Sequence, residues 1–164
     1  MAEIVILSEA ETASRPNAAA TIERIEAYFR NFLSFQSDRA ILPLALFTVL
    51  MFCWQPCFET VPYVLVRADT PSSGKTNLLY LLKYLAGERR AKLFAETTTP
   101  AALRNEIHFS RRTVLLDEAE EALQGHNPAF RSIFNVGYKS GQSIAISTPK
   151  GNAEYNVFAP RSWR

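Results

Sequence analysis

The chain has 164 residues, of which 48% are hydrophobic and 21% are charged, and its formal net charge is +2 at pH 7. These values describe an ordinary soluble globular protein with the length of a single domain and enough residues for a sizeable core. The net charge is too small to indicate a nucleic-acid partner by itself, so such a contact would require a local basic patch.

The few cysteines and histidines give no metal-binding pattern. Cys53 and Cys57 lie in apolar surroundings, which favours free, buried thiols. His108 and His126 are isolated, and a zinc site would need further ligands at suitable spacing. Because the first residues carry no basic stretch of the kind that starts a secretion signal, we expect a cytoplasmic protein.

The first third of the chain predicts two helices. Residues 1–15 are mixed and are interpreted as a loosely held lead-in. From Pro16 an apolar face predicts a helix, with Ile22, Ile25, Phe29, Phe32 and Leu33 on that face. Ser37 and Asp38 offer an N-cap for an apolar helix that ends near Trp54. The apolar run 40–54 is shorter than the roughly 20 residues of a spanning helix. It therefore predicts a buried core helix and no membrane partner.

The rest of the chain alternates between strands and helices. Apolar runs predict strands at residues 61–66, 91–96 and 112–118. Cap signals predict three helices, at residues 75–86 before Gly87, at 100–108 after Thr99, and from Pro128 to Gly141 with Phe130, Ile133, Phe134 and Tyr138 on the apolar face. Alternation of this kind is typical of an α/β fold with a mostly parallel sheet covered on both faces.

A hairpin is predicted near the end of the sequence. Residues 143–147 and 155–159 flank a turn at 149–152, and the second run is expected to continue into the sheet core. Lys150 lies at the predicted tip. A lysine there is a candidate DNA contact, although a solvated turn lysine is the simpler interpretation. The pairs Arg89–Arg90 and Arg111–Arg112 flank strands and are likewise interpreted first as solvated strand ends.

The segment between the first strand and the following helix carries the main functional motif. It reads Arg67-Ala-Asp-Thr-Pro-Ser-Ser-Gly-Lys-Thr76. A strand, a loop of small residues ending Gly-Lys-Thr, and a helix are the layout of a phosphate-binding P-loop. Asp69 stands where the full motif has its first glycine. The motif predicts a nucleotide site formed by Pro71, Ser72, Ser73, Gly74, Lys75, Thr76 and Asn77, in which Lys75 reaches the phosphates and the Thr76 hydroxyl ligates Mg²⁺.

Two acids end the third predicted strand. Asp117 and Glu118 follow the apolar residues 114–116. A carboxylate at the carboxyl end of a buried strand faces the same crevice as the loop. We expect Asp117 to hold the Mg²⁺ shell and Glu118 to polarise the attacking water. An acidic pair that simply starts a helix is the alternative interpretation.

Three segments together carry a family resemblance. They are ETVPYVLVRADTPSSGKT at 59–76, TVLLDEAE at 113–120 and FNVGYKSG at 134–141. The chain resembles helicase-like ATPases of phage, plasmid and other mobile-element replication modules, whose core is similar to the AAA+ class. In that family the loop commonly reads Pro-x-Ser-Gly-Lys-Thr, so the first glycine is often replaced. The resemblance runs from about residue 40 to about residue 161.

The resemblance implies both a fold and a set of roles. It implies a three-layer P-loop NTPase core at 59–164, preceded by an N-terminal helical segment at 1–58. It implies nucleotide binding by Lys75 and Thr76, and metal and water roles for Asp117 and Glu118. The implied cofactors are ATP and Mg²⁺. The implied partners are DNA and other copies of the chain, as a homo-oligomeric ring in the complete protein.

The end of the sequence gives further expectations. AAA+-like cores continue into a fifth strand, an arginine finger and a helical lid, for which the sequence leaves no room after its candidate fourth strand. The strand at 63–66 is then expected to have one unpaired side, and unaided hydrolysis is expected to be poor. A polar residue that positions water in AAA+-like enzymes would fall near Arg161 or Ser162.

Two other functions remain open from the sequence. One is a P-loop kinase that phosphorylates a small molecule, which the Asp-Glu pair at 117–118 disfavours. The other is a degenerate nucleotide-sensing or interaction module without turnover, which Asp69 and the early end of the sequence favour.

Overall fold

A computed structural model of the chain describes residues 17–67, 73–95, 97–117, 127–149 and 151–163. The chain divides into two compact units, residues 1–45 and residues 46–164. The fold is α/β, with a four-stranded parallel sheet and a separate two-stranded hairpin in the second unit. The predicted fold class is confirmed at this level.

The described part of the first unit contains helix α1, Ala18–Phe32. Asn17 caps it, because the Asn17 side-chain oxygen accepts a hydrogen bond from the Ala19 amide at 3.0 Å. Phe29 is fully buried. Phe32, predicted to share the buried face, is 59% exposed and stacks on Tyr28 of its own helix at a ring-centroid distance of 4.7 Å. The helix is confirmed, but its buried face is narrower than predicted.

Helix α2, Ile41–Cys57, follows a short 3₁₀ turn that Ser37 caps. It extends one turn beyond the predicted end near Trp54. By length and composition the stretch Asp38–Gln55 could cross a membrane, and 44% of it is buried within the structure. The helix is apolar on all sides, so it also exposes large side chains, among them Leu42, Leu46 and Phe52. It is therefore longer and less completely buried than the predicted core helix.

The prediction that both cysteines are buried is wrong. Both are free, but Cys53 is half-buried and Cys57 is exposed, because they lie in the last turns of α2 where one face is open. The Cys53 thiol donates to the Val49 carbonyl oxygen at 3.6 Å. Burial raises the pKa of the Cys53 thiol, and the neighbouring Cys57 adds to that rise. The Cys53 thiol therefore has a smaller thiolate fraction than an unperturbed cysteine at the same pH.

The two thiols are expected to differ in reactivity. Since the thiolate is the nucleophile, iodoacetamide should modify exposed Cys57 several-fold faster than Cys53. Mass spectrometry of peptides after timed labelling at pH 7.5 measures both rates. Cys57→Ser should remove the fast phase and Cys53→Ser should leave it. Equal rates for the two thiols would contradict this assignment.

The core sheet has the strand order β1–β6–β3–β2, and all of its neighbouring strands are parallel. The strands are β1 Tyr63–Leu65, β2 Ala91–Phe94, β3 Thr113–Leu116 and β6 Arg161–Trp163. All four residues of β3 are buried. Within the described residues β1 pairs with β6 alone.

Three helices accompany the sheet, and their caps follow the sequence. Helix α3, Lys75–Ala86, ends at Gly87, which has the positive φ of 75° that favours glycine. Helix α4, Pro100–Ser110, starts after Thr99, whose hydroxyl accepts from the Ala102 amide. Helix α5, Pro128–Val136, starts after Asn127 in the same way. Helix α3 packs on β2 and β3, while α4 packs against α5.

The predicted end of α5 at Gly141 is wrong. The helix ends at Val136, and Tyr138 of the predicted apolar face is 45% exposed. The chain turns there because the Tyr138 carbonyl accepts from the Val61 amide and Lys139 forms a bridge with Thr60. These bonds connect the segment after α5 to the segment before β1.

The hairpin is confirmed, but its predicted continuation into the core is wrong. Strands β4, Ser143–Thr148, and β5, Gly151–Asn156, pair with each other in a separate sheet. After β5 the Asn156 side chain accepts from the Phe158 amide at 3.0 Å, forming a local turn. The buried residues 157–160 then lead to β6, which is the fourth core strand.

Candidate functional site

The candidate site lies at the carboxyl edge of the core sheet. Leu65 of β1 and Leu116 of β3 are both in register with Trp163 of β6, which lies between them. Because these strands are parallel, the chain leaves β1 and β3 at the same edge. With a strand spacing of about 4.8 Å, the two exits are about 10 Å apart.

Gly74 fixes the start of α3 at this edge. It occupies the N-cap with φ 85° and ψ 8°, a left-handed conformation that glycine adopts without a Cβ penalty. Its carbonyl oxygen accepts from the Leu78 amide at 3.0 Å, which closes the first turn. Since Gly74 has no side chain to cap the helix, the first amides of α3 are not satisfied by its N-cap residue.

The residues that follow Gly74 present polar groups at the helix N-terminus. Lys75 and Thr76 are half-buried, while Ser73 and Asn77 are exposed. Leu79 and Leu82 on the other side of α3 are fully buried, and the helix packs on β2 and β3. This packing orients α3 with its N-terminus at the carboxyl edge of the sheet.

Asp117 lies at the same edge, directly after β3. Its amide donates to the Phe94 carbonyl at 2.9 Å, which continues the β2–β3 pairing by one residue and fixes the backbone there. The side chain is half-buried. The structure therefore places Lys75, Thr76 and Asp117 along one edge of the sheet, as the sequence predicts.

Four predicted site residues lie outside the described residues. They are Pro71 and Ser72 of the loop, Glu118 after Asp117, and Lys150 at the hairpin turn; Asp69 lies outside them as well. Their roles remain predictions from the sequence.

The described residues at this edge offer two side-chain oxygen groups that could hold Mg²⁺. Among them no group of three or more His, Cys, Asp or Glu side chains could hold a metal ion. Mg²⁺ bound together with nucleotide phosphates takes only one or two protein carboxylates, so no such group is needed. The Thr76 hydroxyl and the Asp117 carboxylate are oxygen donors of the type it prefers.

Arg161 and Ser162 do not lie at the carboxyl end of β6, where the sequence analysis placed a water-positioning residue. They are the first two residues of β6, opposite Val114 and Leu115 in the sheet, and both are fully buried. The carboxyl end of β6 is at Trp163 instead. The expectation for these two positions is wrong because the fourth core strand begins later than the apolar run suggests.

Arg161 instead forms a buried structural centre. Its guanidinium contacts the Tyr63 hydroxyl and donates to the Val157 carbonyl at 2.6 Å. It also lies 4.9 Å from the Tyr63 ring centroid and 5.0 Å from that of Phe134. The Tyr63 hydroxyl in turn donates to the Phe134 carbonyl at 2.9 Å. This cluster connects β1, α5 and β6.

Burial changes the pKa of this arginine. Desolvation lowers the pKa of Arg161 to about 9, which still leaves the guanidinium cationic at neutral pH. The two aromatic faces and the carbonyl oxygen compensate part of the desolvation cost. The sequence offered little signal for this cluster, because its members are far apart along the chain.

Comparison with models of known protein families finds no match to this chain. Comparison with curated protein sequences finds none either.

Proposed function

We propose that the chain binds ATP through a P-loop and hydrolyses it with Mg²⁺, as part of a helicase-type motor in DNA replication. The observation that carries this proposal is the start of α3. Gly74 there adopts the left-handed N-cap conformation and is followed by half-buried Lys75 and Thr76, at the sheet edge that also carries Asp117. A helix N-terminus with a lysine, at a sheet edge that also carries a carboxylate, is suited to a nucleoside triphosphate and its metal.

Each residue has a distinct role in the proposed reaction. The amides at the start of α3 and the Lys75 ammonium bind and orient the phosphates, where the ammonium offsets negative charge. The Thr76 hydroxyl and the Asp117 carboxylate would hold Mg²⁺, which when bound neutralises charge that builds up on the phosphates. The Glu118 carboxylate would orient the attacking water and accept its proton.

The strand order supports a P-loop core rather than another α/β arrangement. In the proposed assignment β1 precedes the phosphate loop, β3 precedes the acidic pair and β6 lies between them. The exits of β1 and β3 therefore lie on either side of β6 at the carboxyl edge, where parallel α/β sheets bind their ligands, and this supports the proposal. It also leaves β1 at the sheet edge, as the resemblance implies.

The DNA substrate and the oligomer rest on the resemblance alone. Lys150 at the hairpin turn is the proposed DNA contact, and a homo-oligomeric ring is the proposed assembly. The cytoplasm is the proposed location.

Substitution of Glu118 tests the catalytic part of the proposal. Glu118→Gln should bind ATP with unchanged affinity but lower its hydrolysis at least about 100-fold, because the amide cannot accept a proton from water. Phosphate release measured with and without single-stranded DNA, together with binding of a fluorescent ATP analogue, separates the two effects. Glu23→Gln, at an exposed glutamate of α1, is the matched control and should change neither.

Two outcomes would contradict the catalytic part of this proposal. Full hydrolysis by Glu118→Gln would remove that residue from the mechanism. Nucleotide binding without turnover by the unmodified chain, with or without DNA, would instead support a nucleotide-sensing module.

A further inference from the structure

A second concave site lies at the opposite, amino edge of the sheet. A pocket of about 260 Å³ is bordered there by the last turns of α2 and by the segments that lead into β2 and β3. Its lining includes Trp54, Gln55, Arg89, Arg90, Ser110 and Arg111. Four residues of β2 separate this edge from the carboxyl edge, a rise of about 13 Å. The pocket is therefore distinct from the candidate nucleotide site.

Positive charge dominates this pocket. Three arginines line it, and none of its lining residues in the described part of the chain is acidic. The two acids nearest to the three arginines in sequence are otherwise engaged, since Glu88 pairs with Lys83 at 2.8 Å and Glu106 accepts from Arg112 at 2.7 Å. A cleft lined by one sign of charge focuses its field and attracts ligands of the opposite sign.

Two hydrogen bonds organise the pocket before any ligand arrives. The Arg90 guanidinium donates to the Phe52 carbonyl at 3.3 Å and lies 4.6 Å from the centroid of the Phe52 ring. The Gln55 side-chain amide donates to the Arg111 carbonyl at 3.0 Å. Both bonds connect α2 to strand ends, so one arginine side chain and the backbone of another are already positioned. Such preorganisation lowers the entropic cost of binding.

Capping of helix ends does not account for all three arginines. The negative ends of α2 and α4 lie beside the pocket, and cations stabilise helix C-termini. Arg90 stabilises the end of α2 in this way by donating to the Phe52 carbonyl. The side chains of Arg89 and Arg111, however, donate no hydrogen bond within the described part of the chain. Two arginines that line one pocket and have no hydrogen-bond acceptor among the described residues are suited to an external anion.

Arg111 has an unusual backbone conformation for its residue type. It is the C-cap of α4 with φ 52°, and within the described residues no other non-glycine residue has a positive φ. Glycine is the usual residue at such a position because it has no Cβ. An arginine therefore occupies a position that glycine would fill with less strain, which is consistent with a role for its side chain.

We propose that this pocket binds a phosphate of single-stranded nucleic acid. Guanidinium groups match phosphate oxygens in geometry as well as charge. The pocket is slightly smaller than the roughly 300–1,000 Å³ of small-molecule sites, and a phosphate projecting from a polymer need insert only its own group. Phe52, beside Arg90, is 48% exposed and offers an aromatic surface on which a base can stack. This inference does not depend on the proposed ATPase activity.

The double variant Arg89→Gln/Arg111→Gly tests the inference. Glycine at 111 relieves the backbone strain, and the Gln55 bond to the carbonyl oxygen of that residue is kept. Fluorescence anisotropy with a labelled single-stranded oligonucleotide, in nucleotide-free buffer at several salt concentrations, gives the affinity and its salt dependence. We expect affinity to fall about 10-fold or more and the log–log salt slope to decrease by about 1.4, the value for two lost phosphate contacts.

A matched control and a competing anion distinguish the outcomes. Arg131→Gln/Lys139→Gln removes the same charge at exposed positions that do not line the pocket, and should change neither the affinity nor the slope. The inference would be overturned if the pocket variant bound the oligonucleotide with the affinity of the wild type. It would also be overturned if the control variant lost as much affinity as the pocket variant. Competition by inorganic pyrophosphate as strong as that by the oligonucleotide would also overturn it, in favour of a small-anion site. Thermal melting should show the pocket variant at least as stable as the wild type.

Discussion

Lys75→Ala is expected to weaken ATP binding by about 100-fold, or roughly 2.7 kcal/mol. The lysine follows the left-handed Gly74 at the start of α3, where its ammonium is the one side-chain cation of the Gly-Lys-Thr motif. A hydrogen bond between a charged donor and a phosphate contributes roughly 1.5–3 kcal/mol, and the lost charge attraction adds to it. Titration of the chain with a fluorescent ATP analogue in the presence of Mg²⁺ measures the change.

Lys83→Ala is the matched control for this experiment. It removes the same side chain from the same helix, but Lys83 lies in the last turn of α3, where it pairs with Glu88. ATP affinity should stay within error of the wild type, because this surface ion pair contributes little. If Lys75→Ala binds ATP as well as the wild type does, the assigned nucleotide site is wrong.

Gly137→Ala is expected to destabilise the fold by about 3 kcal/mol, near the upper end of overpacking effects. Gly137 caps α5 with an ordinary φ of −77°, so helix propensity alone would favour alanine. Lack of space around Gly137 makes the expected effect destabilising instead. An added Cβ would collide with both terminal guanidinium nitrogens of Arg161 and with the Val157 carbonyl oxygen. The Arg161 guanidinium and the Val157 carbonyl have no freedom to move, because a hydrogen bond holds them together. The urea midpoint, at unchanged m value, measures the loss.

Gly141→Ala separates packing from backbone strain. Gly141 has φ 79°, and no atom of the described residues lies within 4 Å of an added Cβ. Alanine should cost only the left-handed conformation, about 1–2 kcal/mol. A larger loss for Gly141→Ala than for Gly137→Ala would show that the Arg161 cluster tolerates the extra methyl group.

Local chemistry made several helix boundaries predictable. Gly87, Thr99 and Asn127 act in the structure as their residue types predict, because a cap depends on atoms within three or four residues of it. The end of α5 was not predictable in this way. It depends on bonds to residues 60 and 61, which lie more than 70 residues earlier in the chain.

The same distinction applies to the candidate site. The Gly-Lys-Thr motif and the acid after β3 located Lys75, Thr76 and Asp117 at one edge, since a strand's carboxyl end is visible in the sequence. The Arg161 cluster and the basic pocket were not visible. Arg89 and Arg111 precede two different strands, and the sequence analysis interpreted both positions as solvated strand ends. Only the parallel pairing of β2 with β3 brings those ends together.

The position of β6 determines how the sheet is assembled. β6 is the last described strand, yet it occupies the place between β1 and β3. Arg161 of β6 is 98 residues from Tyr63 of β1 in sequence, and closing a loop of that length costs about 4 kcal/mol in chain entropy from its length alone. Non-local pairing of this kind slows folding. Strand β1 therefore gains its sheet partner late, after the chain through residue 163 has been synthesised.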